Sequence, residues 1–354
     1  MALNRAFWAG RKVFLTGHTG FKGGWLGLWL RELGAEVYGY ALPPASAPSL
    51  WQAANLEASI AGRFADIRDA DQLCRELKDF GPELVLHLAA QPLVRESYRT
   101  PADTYATNVM GTLNLLDAVR HCDAVRAVVV VTTDKCYDNR EWVWPYREQD
   151  ALGGHDPYSS SKACVELLCA SYRESFLRKA GVALATARAG NVLGGGDWSP
   201  ERLLPDILRA WQQQETVTLR HPHATRPWQH VLDPLKGYLL LAQALIERGD
   251  ACASAWNFGP DADGISTVAD IVGQLAQQWA GDARWELCPS PQPHEAELLS
   301  LDSSKARQQL GWRPSWSLST TLTQTLAWHQ AWQAADDMQQ FSRAQIAAYE
   351  GETL

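Results

Sequence analysis

Apolar residues fall in short, dense runs separated by longer amphipathic stretches. Lys12-Val-Phe-Leu-Thr16 is a β-rich run that ends in glycines, and Leu26 to Leu33 then reads as a helix. Glu36 to Ala41, Leu84 to Ala89 and Ala127 to Thr132 read as further strands, the last with five consecutive apolar residues. Helical spacing fills Asp69–Lys78 and Thr104–Arg120. Near-continuous apolar strands alternating with helices predict an α/β fold, a Rossmann-type doubly wound parallel sheet covered on both faces.

After Arg188 the texture changes. Gly194-Gly-Gly196 and several prolines interrupt the periodicity, and tryptophans recur at 198, 211, 228, 256, 279, 285, 312 and 316. This half is expected to form a smaller mixed α/β lobe over the C-terminal edge of the sheet, where ligands bind in such folds. The expected division is 1–188 plus about 226–258 for the first lobe, and about 189–225 plus 259–354 for the second. From about Trp328 the chain reads as a polar surface helix.

Composition narrows the classes. The 354 residues are 46% hydrophobic and 20% charged, with a formal net charge of −8. That balance argues against binding to nucleic acid or to a membrane surface. No apolar run approaches the roughly 20 residues of a membrane span. Met1 to Arg11 lacks the apolar core of a signal peptide, so a cytoplasmic location is expected. Seven cysteines, an odd number with no C-x-x-C spacing, point to free thiols. His221-Pro-His223 has no second cluster to complete a metal site, and none is expected.

The candidate chemistry centres on Tyr158-Ser-Ser-Ser-Lys162. Residues four apart on a helix share a face, so the ammonium can lower the phenol's pKa and help bind a nicotinamide ribose. A free tyrosine titrates near about 10 and needs such help to act as a base near neutral pH. Thr133 supplies a hydroxyl for the same proton-handling set, which suits oxidation of an alcohol. Asp134 and Lys135 are two more ionisable groups beside it, and simple oxidation does not need them.

Gly17-His-Thr-Gly20-Phe-Lys-Gly23 lies between a strand and a helix. Glycines there allow a tight turn and close approach of a pyrophosphate to backbone N–H groups, which predicts dinucleotide binding. The second strand runs into Ala41-Leu-Pro-Pro44 with neither acid nor arginine, so the choice of NAD or NADP is poorly marked. Asp66 lies where the adenine should rest.

Together these residues resemble the extended short-chain dehydrogenase/reductases that act on nucleotide sugars. His87-Leu-Ala-Ala-Gln91, Asn108, Arg188-Ala-Gly-Asn191-Val and Trp256-Asn-Phe-Gly-Pro260 stand in that superfamily's order. The glycine loop, Thr133 to Trp144, Gly194-Gly-Gly-Asp-Trp198, Arg226-Pro-Trp-Gln-His-Val231 and Pro293-His-Glu-Ala296 resemble the CDP-glucose 4,6-dehydratases more closely. The likeness spans roughly residues 10–330.

That resemblance implies CDP-D-glucose as substrate, CDP-4-dehydro-6-deoxy-D-glucose as product, and NAD as a cofactor reduced and reoxidised in each turnover. It implies Thr133, Asp134, Lys135, Tyr158 and Lys162 as catalytic residues. It places cofactor contacts at Gly17, His18, Thr19, Gly20, Phe21, Lys22, Gly23, Asp66, Ile67, Leu88, Ala89, Ala90, Asn108, Tyr158 and Lys162. Substrate contacts fall to Gln91, Asn191, Arg202, Arg226, His230 and His294. Many sister dehydratases carry Thr-Asp-Glu where this chain has Thr133-Asp134-Lys135. A lysine base at the sugar's C5 must be neutral, which requires burial or nearby positive charge.

A nucleotide-sugar 4-epimerase shares the fold and the Tyr/Lys pair but has no use for Asp134-Lys135. A dehydratase for another sugar nucleotide stays open, as does a binding protein that senses the cofactor without catalysis. The superfamily implies a homodimer built on a four-helix bundle from Thr104–Arg120 and the Tyr158 helix, with a tetramer as a further possibility.

Overall fold

The computed structural model describes residues 3–261, 264–288 and 298–351. Seven parallel strands form the central sheet: β1 (Lys12–Thr16), β2 (Glu36–Ala41), β3 (Ala61–Phe64), β4 (Leu84–His87), β5 (Ala127–Val131), β6 (Ala183–Ala189) and β7 (Ala255–Phe258). Their spatial order is β7-β6-β5-β4-β1-β2-β3. The chain runs outward from β1 to β3, then crosses back to β4 on the other side of β1. That reversal opens a crevice at the C-terminal ends of β1 and β4.

The strand sequences explain the two-sided burial. Along β5, Ala127, Val129 and Val131 enter one core, while Val128 and Val130 enter the other. The first core packs α1 (Phe21–Glu32) and α6 (Leu232–Arg248) on one face. The second packs α2 (Ala70–Phe80), α3 (Gly111–Arg120) and α4 (Pro157–Tyr172) on the other. Helix α2 begins where Asp69 caps the Gln72 N–H, as its sequence suggests. The expected Thr104–Arg120 helix is interrupted by a wider turn at Ala106–Met110.

The second lobe has its own core of Leu204, Ile207 and Trp211 from α5 (Leu203–Gln212), with Val217, Leu219, Trp228, Ile271 and Leu275. Thr225–Pro227 pairs antiparallel with Ile265–Thr267, and Trp285–Leu287 pairs parallel with Val217–Leu219.

The end of the chain differs from a polar surface helix. Two helices, α7 (Leu318–Gln333) and α8 (Met338–Gly351), stand there, and Trp328 is fully buried. Helix α8 brings Met338, Ile346 and Tyr349 into the first core, and Glu350 accepts from the Trp29 indole of α1 at 2.8 Å. Cys74, Cys122, Cys136, Cys164, Cys169 and Cys252 are free thiols. Among the described residues no helix is long and apolar enough to cross a membrane.

Candidate active site

A cleft of about 1000 Å³ runs from the glycine loop, past the ends of β4 and β5, to α5 and the strand at Val217–Leu219. The loop needs its glycines for space. A Cβ at Gly17, where φ is +76°, would meet the Ala89 nitrogen at 2.7 Å, and one at Gly23 would meet the Gly17 oxygen at 2.0 Å. Gly20 caps α1 without a side-chain hydrogen bond, and Gly20 to Gly23 line the cleft. An uncapped helix start facing a cleft suits a diphosphate, so the loop fits a dinucleotide. Thr19, Asp66, Ile67, Leu88, Ala89 and Ala90 line the same end. Hydrogen bonds from Arg68, at 2.7 and 3.0 Å, hold the Asp66 carboxyl below its usual range.

Four expected contacts lie elsewhere. His18 is buried against Gly39, with its ring 4.8 Å from that of Trp51, and burial lowers its pKa to about 4. Its side chain turns away from the cleft because Gly39 leaves room behind the loop. Asn108 is also buried; it donates to Gln91 O at 3.1 Å and to Ser161 Oγ at 2.9 Å, tying the turn after β4 to α4. Gln91 folds back onto Leu93 and Thr104 rather than facing a substrate. His230 is fully buried 4.6 Å from the Trp316 ring, and its Nδ1 accepts from Leu232 N. His294, with the rest of Pro293-His-Glu-Ala296, lies outside the described residues.

The catalytic candidates do converge. Thr133, Asp134 and Lys135 follow directly from β5, while Tyr158 and Lys162 stand on the first turns of α4, which Asp156 caps and Pro157 opens. Thr133 Oγ1 donates to Asp134 Oδ1 at 3.0 Å, and Lys135 Nζ donates to the same oxygen at 3.1 Å and to Asn191 Oδ1 at 3.3 Å. Asp134 is fully buried. Its second oxygen has no partner and faces Gly190, where a Cβ would come within 2.8 Å.

Tyr158 lines the cleft together with Thr133. Burial drives its phenol up to about 12; Thr133 and Arg202 pull it down, while Asp134 and Asp156 push it up. Lys162 Nζ donates to the Val131 carbonyl at 3.1 Å rather than to the phenol, and burial lowers it to about 8. The lysine is therefore anchored to the strand end, so the help expected at Tyr158 comes from Thr133 and Arg202.

Beneath these residues lies a buried ion pair that spacing alone did not reveal. Glu166 accepts from Arg188 Nε at 2.9 Å and Nη2 at 2.8 Å, from Thr132 Oγ1 at 2.5 Å and from Thr186 Oγ1 at 2.7 Å. Arg188 also donates to the Tyr137 hydroxyl at 2.8 Å. The pair joins α4, β5 and β6 under the strand end that presents Thr133. Glu166 stands one helical turn beyond Lys162, which was the available signal.

The far half of the cleft carries Asn191, Arg202 and Arg226. Arg202 pairs with Asp197 at 3.0 Å, and Arg226 Nη1 donates to Thr225 O at 3.0 Å. Lys22 extends from α1 among Arg202, Asp134, Lys162 and Lys135; burial first, then Arg202, lowers it to about 7.

A dinucleotide cradle beside a Tyr/Thr/Asp/Lys cluster and a cationic second half is the layout of a nucleotide-sugar oxidoreductase or dehydratase. The family model described as GDP-mannose 4,6 dehydratase matches residues 14–325, and the chain belongs to that family. Within it, the chain is similar to the CDP-glucose 4,6-dehydratase of Salmonella typhimurium, with 49% identity covering 99% of each chain. The fold is also that of the UDP-glucose-4-epimerase of Stenotrophomonas maltophila, with bound NAD and formylated UDP-arabinopyranose (TM-score 0.80, 22% identity, 92% of this chain and 99% of that one). The dTDP-glucose 4,6-dehydratase of Streptomyces venezuelae, with NAD and DAU bound, superposes with TM-score 0.79 at 24% identity, over 92% and 99% of the two chains.

Proposed function

We propose that this protein converts CDP-D-glucose to CDP-4-dehydro-6-deoxy-D-glucose and water, using NAD. The observation that carries the reading is Asp134–Lys135, an acid/base pair 3.1 Å apart, beside the cleft that Thr133 and Tyr158 line. Its likeness to the Salmonella typhimurium CDP-glucose 4,6-dehydratase supports the nucleotide.

NAD, held by Gly17–Gly23, Asp66, Ile67 and Leu88–Ala90, supplies a hydride acceptor for C4, a donor for C6, and positive charge that favours the Tyr158 phenolate. Tyr158, as phenolate, takes the proton of the C4 hydroxyl. Thr133 orients that hydroxyl and the phenol. Lys162 fixes α4 against β5 and offers its remaining donors to the nicotinamide ribose. Once C4 is a ketone, the C5 proton is acidic. Lys135 takes it and later returns it. Asp134 protonates the departing C6 hydroxyl. Arg202, Arg226 and Asn191 hold the diphosphate and sugar; an arginine offers two parallel donors to phosphate oxygens. In this reading the dinucleotide is carried by residues 1–188, and the nucleotide sugar by the second half of the cleft with Asn191, Arg202 and Arg226.

Incubation with CDP-glucose and NAD should give a 4-keto product with a new 6-methyl signal in NMR. A product that retains its C6 hydroxyl would indicate epimerase chemistry, and turnover of UDP-, GDP- or dTDP-glucose in preference would reassign the base. Exposed Tyr98, Tyr105, Met110, Leu167 and Phe176 on and around α4 and the helices before it support pairing with a second copy through these faces. Sedimentation at the monomer mass would contradict that assembly.

A further inference from the structure

The base proposed at C5 stands on a flexible stem. The Lys135 side chain is 28% exposed, so packing alone does not fix its Nζ. A base must lie within hydrogen-bond reach of the proton it removes, and a displacement of about 1 Å costs on the order of 100-fold in rate. Two acceptors hold the nitrogen instead: Asp134 Oδ1 at 3.1 Å and Asn191 Oδ1 at 3.3 Å. They differ in kind. Asp134 is the acid of the elimination, so its charge changes as it gives up a proton, and with it the strength of its hold on Lys135. The Asn191 amide is neutral and accepts from nitrogen at every stage.

Asn191 is itself held on both sides. Ala189, at the end of β6, pairs with Phe258, and Val192–Leu193 pairs parallel with Gln229–His230. Only Gly190 and Asn191 lie between those paired segments. Gly190 fits against the acid: a Cβ there would come within 2.8 Å of Asp134 Oδ2 and 3.1 Å of Pro227 Cγ. The next residue, Asn191, meets the base. The lysine nitrogen donates in this contact, so the amide turns Oδ1 toward Lys135 and Nδ2 away from it. Asn191 also lines the cleft, so one side chain meets both the base and the space for the sugar.

We propose that Asn191 is a positioning residue that aims Lys135 at the C5 proton, beyond its contact with the nucleotide sugar. This rests on the dehydratase reading above and deepens it. Asn191 exchanges no proton. The C5–H bond breaks toward Lys135 Nζ, its electron pair forms the C5–C6 double bond as the C6–O bond breaks, and Lys135 returns a proton to C5 when hydride reaches C6. The amide oxygen keeps Nζ in place from the first transfer to the second. Removing it should therefore delay the C5 step relative to C4 oxidation.

The test separates two steps in single turnovers of the NAD-loaded enzyme, using CDP-glucose labelled with deuterium at C5. The rise of reduced-nicotinamide absorbance reports C4 oxidation, and release of deuterium to solvent reports C5–H cleavage. Both are read from the same bound complex, so a change in affinity does not alter their ratio. Asn191→Leu keeps the size of the side chain and removes the acceptor. The ratio of C5 cleavage to C4 oxidation should fall about tenfold or more relative to the wild type, and reduced nicotinamide should persist. Asn191→Ala is a second acceptor-free variant should the leucine fail to fold, with NAD binding and thermal melting as the check. A higher KM for CDP-glucose with an unchanged ratio would mean that Asn191 only holds substrate, and overturns the proposal. Equal slowing of both steps, complete loss included, would mean that it only supports the strand ends, and overturns it too. Failure of the unaltered enzyme to convert CDP-glucose, or undiminished deuterium release in Lys135→Met, would instead remove the underlying reading, so the two can fail separately.

Discussion

Replacing Glu166 by Gln keeps the shape of the side chain and removes its charge. Glu166 and Arg188 are each 3% exposed, and the carboxylate accepts two hydrogen bonds from the guanidinium and one each from Thr132 and Thr186. The amide keeps one acceptor oxygen but no negative charge, so the buried Arg188 cation is left with neutral acceptors only: that oxygen, the Tyr137 hydroxyl and the Glu148 carbonyl. Breaking one side of a buried pair costs about 3–5 kcal/mol. Against a total stability of roughly 5–15 kcal/mol for a typical protein, that is a large fraction. Urea unfolding of the wild type and Glu166→Gln measures it directly. The double variant Glu166→Met with Arg188→Met removes both charges and should be less destabilised than Glu166→Gln alone. A loss below about 1 kcal/mol in the single variant would refute the reasoning.

The same pair sets a pH signature. Burial alone would raise the Glu166 carboxyl, but the Arg188, Thr132 and Thr186 contacts hold it below its ordinary 4.5. A depressed carboxyl contributes stability that is fully present above the unfolded pKa and is lost as pH falls through the folded one. The gap between wild type and Glu166→Gln should thus be constant at neutral pH and shrink below about pH 4.5. A gap that instead widens on acidification would mean the charge is not what holds these elements together.

Three further outcomes follow from particular contacts. Lys135→Met should still form the C4 ketone but lose exchange of C5 deuterium with solvent; undiminished exchange eliminates Lys135 as the base. Lys22 is held down to about 7 by burial and Arg202, so the folded protein binds this proton less tightly than the unfolded chain does. Wild-type stability should therefore rise with pH between about 7 and 10.5, and Lys22→Met should raise Tm by a few degrees at pH 7 but less at pH 9; an equal shift at both pH values counts against the buried cation. A Cβ at Gly195 would fall 2.0 Å from the Trp328 ring and 2.4 Å from its Cβ, so Gly195→Ala should cost about 1–3 kcal/mol or more in urea unfolding. Unaltered stability would mean that α7 shifts without cost.

Physical range along the chain separates what was legible in the sequence from what was not. The proton-handling residues were legible because their geometry is local: Thr133 to Lys135 are consecutive, and Tyr158 and Lys162 share one helical turn. Strand β5 was legible because both its faces are apolar. Strand β3 was not, because all four of its residues are exposed and one is Gly62, which sits against Gly39 of β2. The burial of α8 was hidden for a different reason. Its inward face mixes Ser342 and Gln345 with Met338 and Ile346, and its partner, Trp29, lies more than 300 residues away. His18 shows how a motif misleads even where it is correctly recognised. The loop was expected to bring backbone N–H groups to the dinucleotide, with His18 among the contacts, yet the His18 side chain turns under Gly39 while the other loop residues line the cleft. Lys22 is the converse: from the same loop, it lines the cleft, where the charge of Arg202 adds to burial in lowering its pKa. Such a loop motif specifies a backbone path, and the direction of each side chain is decided by the neighbouring strand and by the charges across the cleft. Glu166 and Arg188 take their meaning only from β5 lying beside β6, so a helix residue and a strand residue 22 positions apart become one unit under the catalytic strand end.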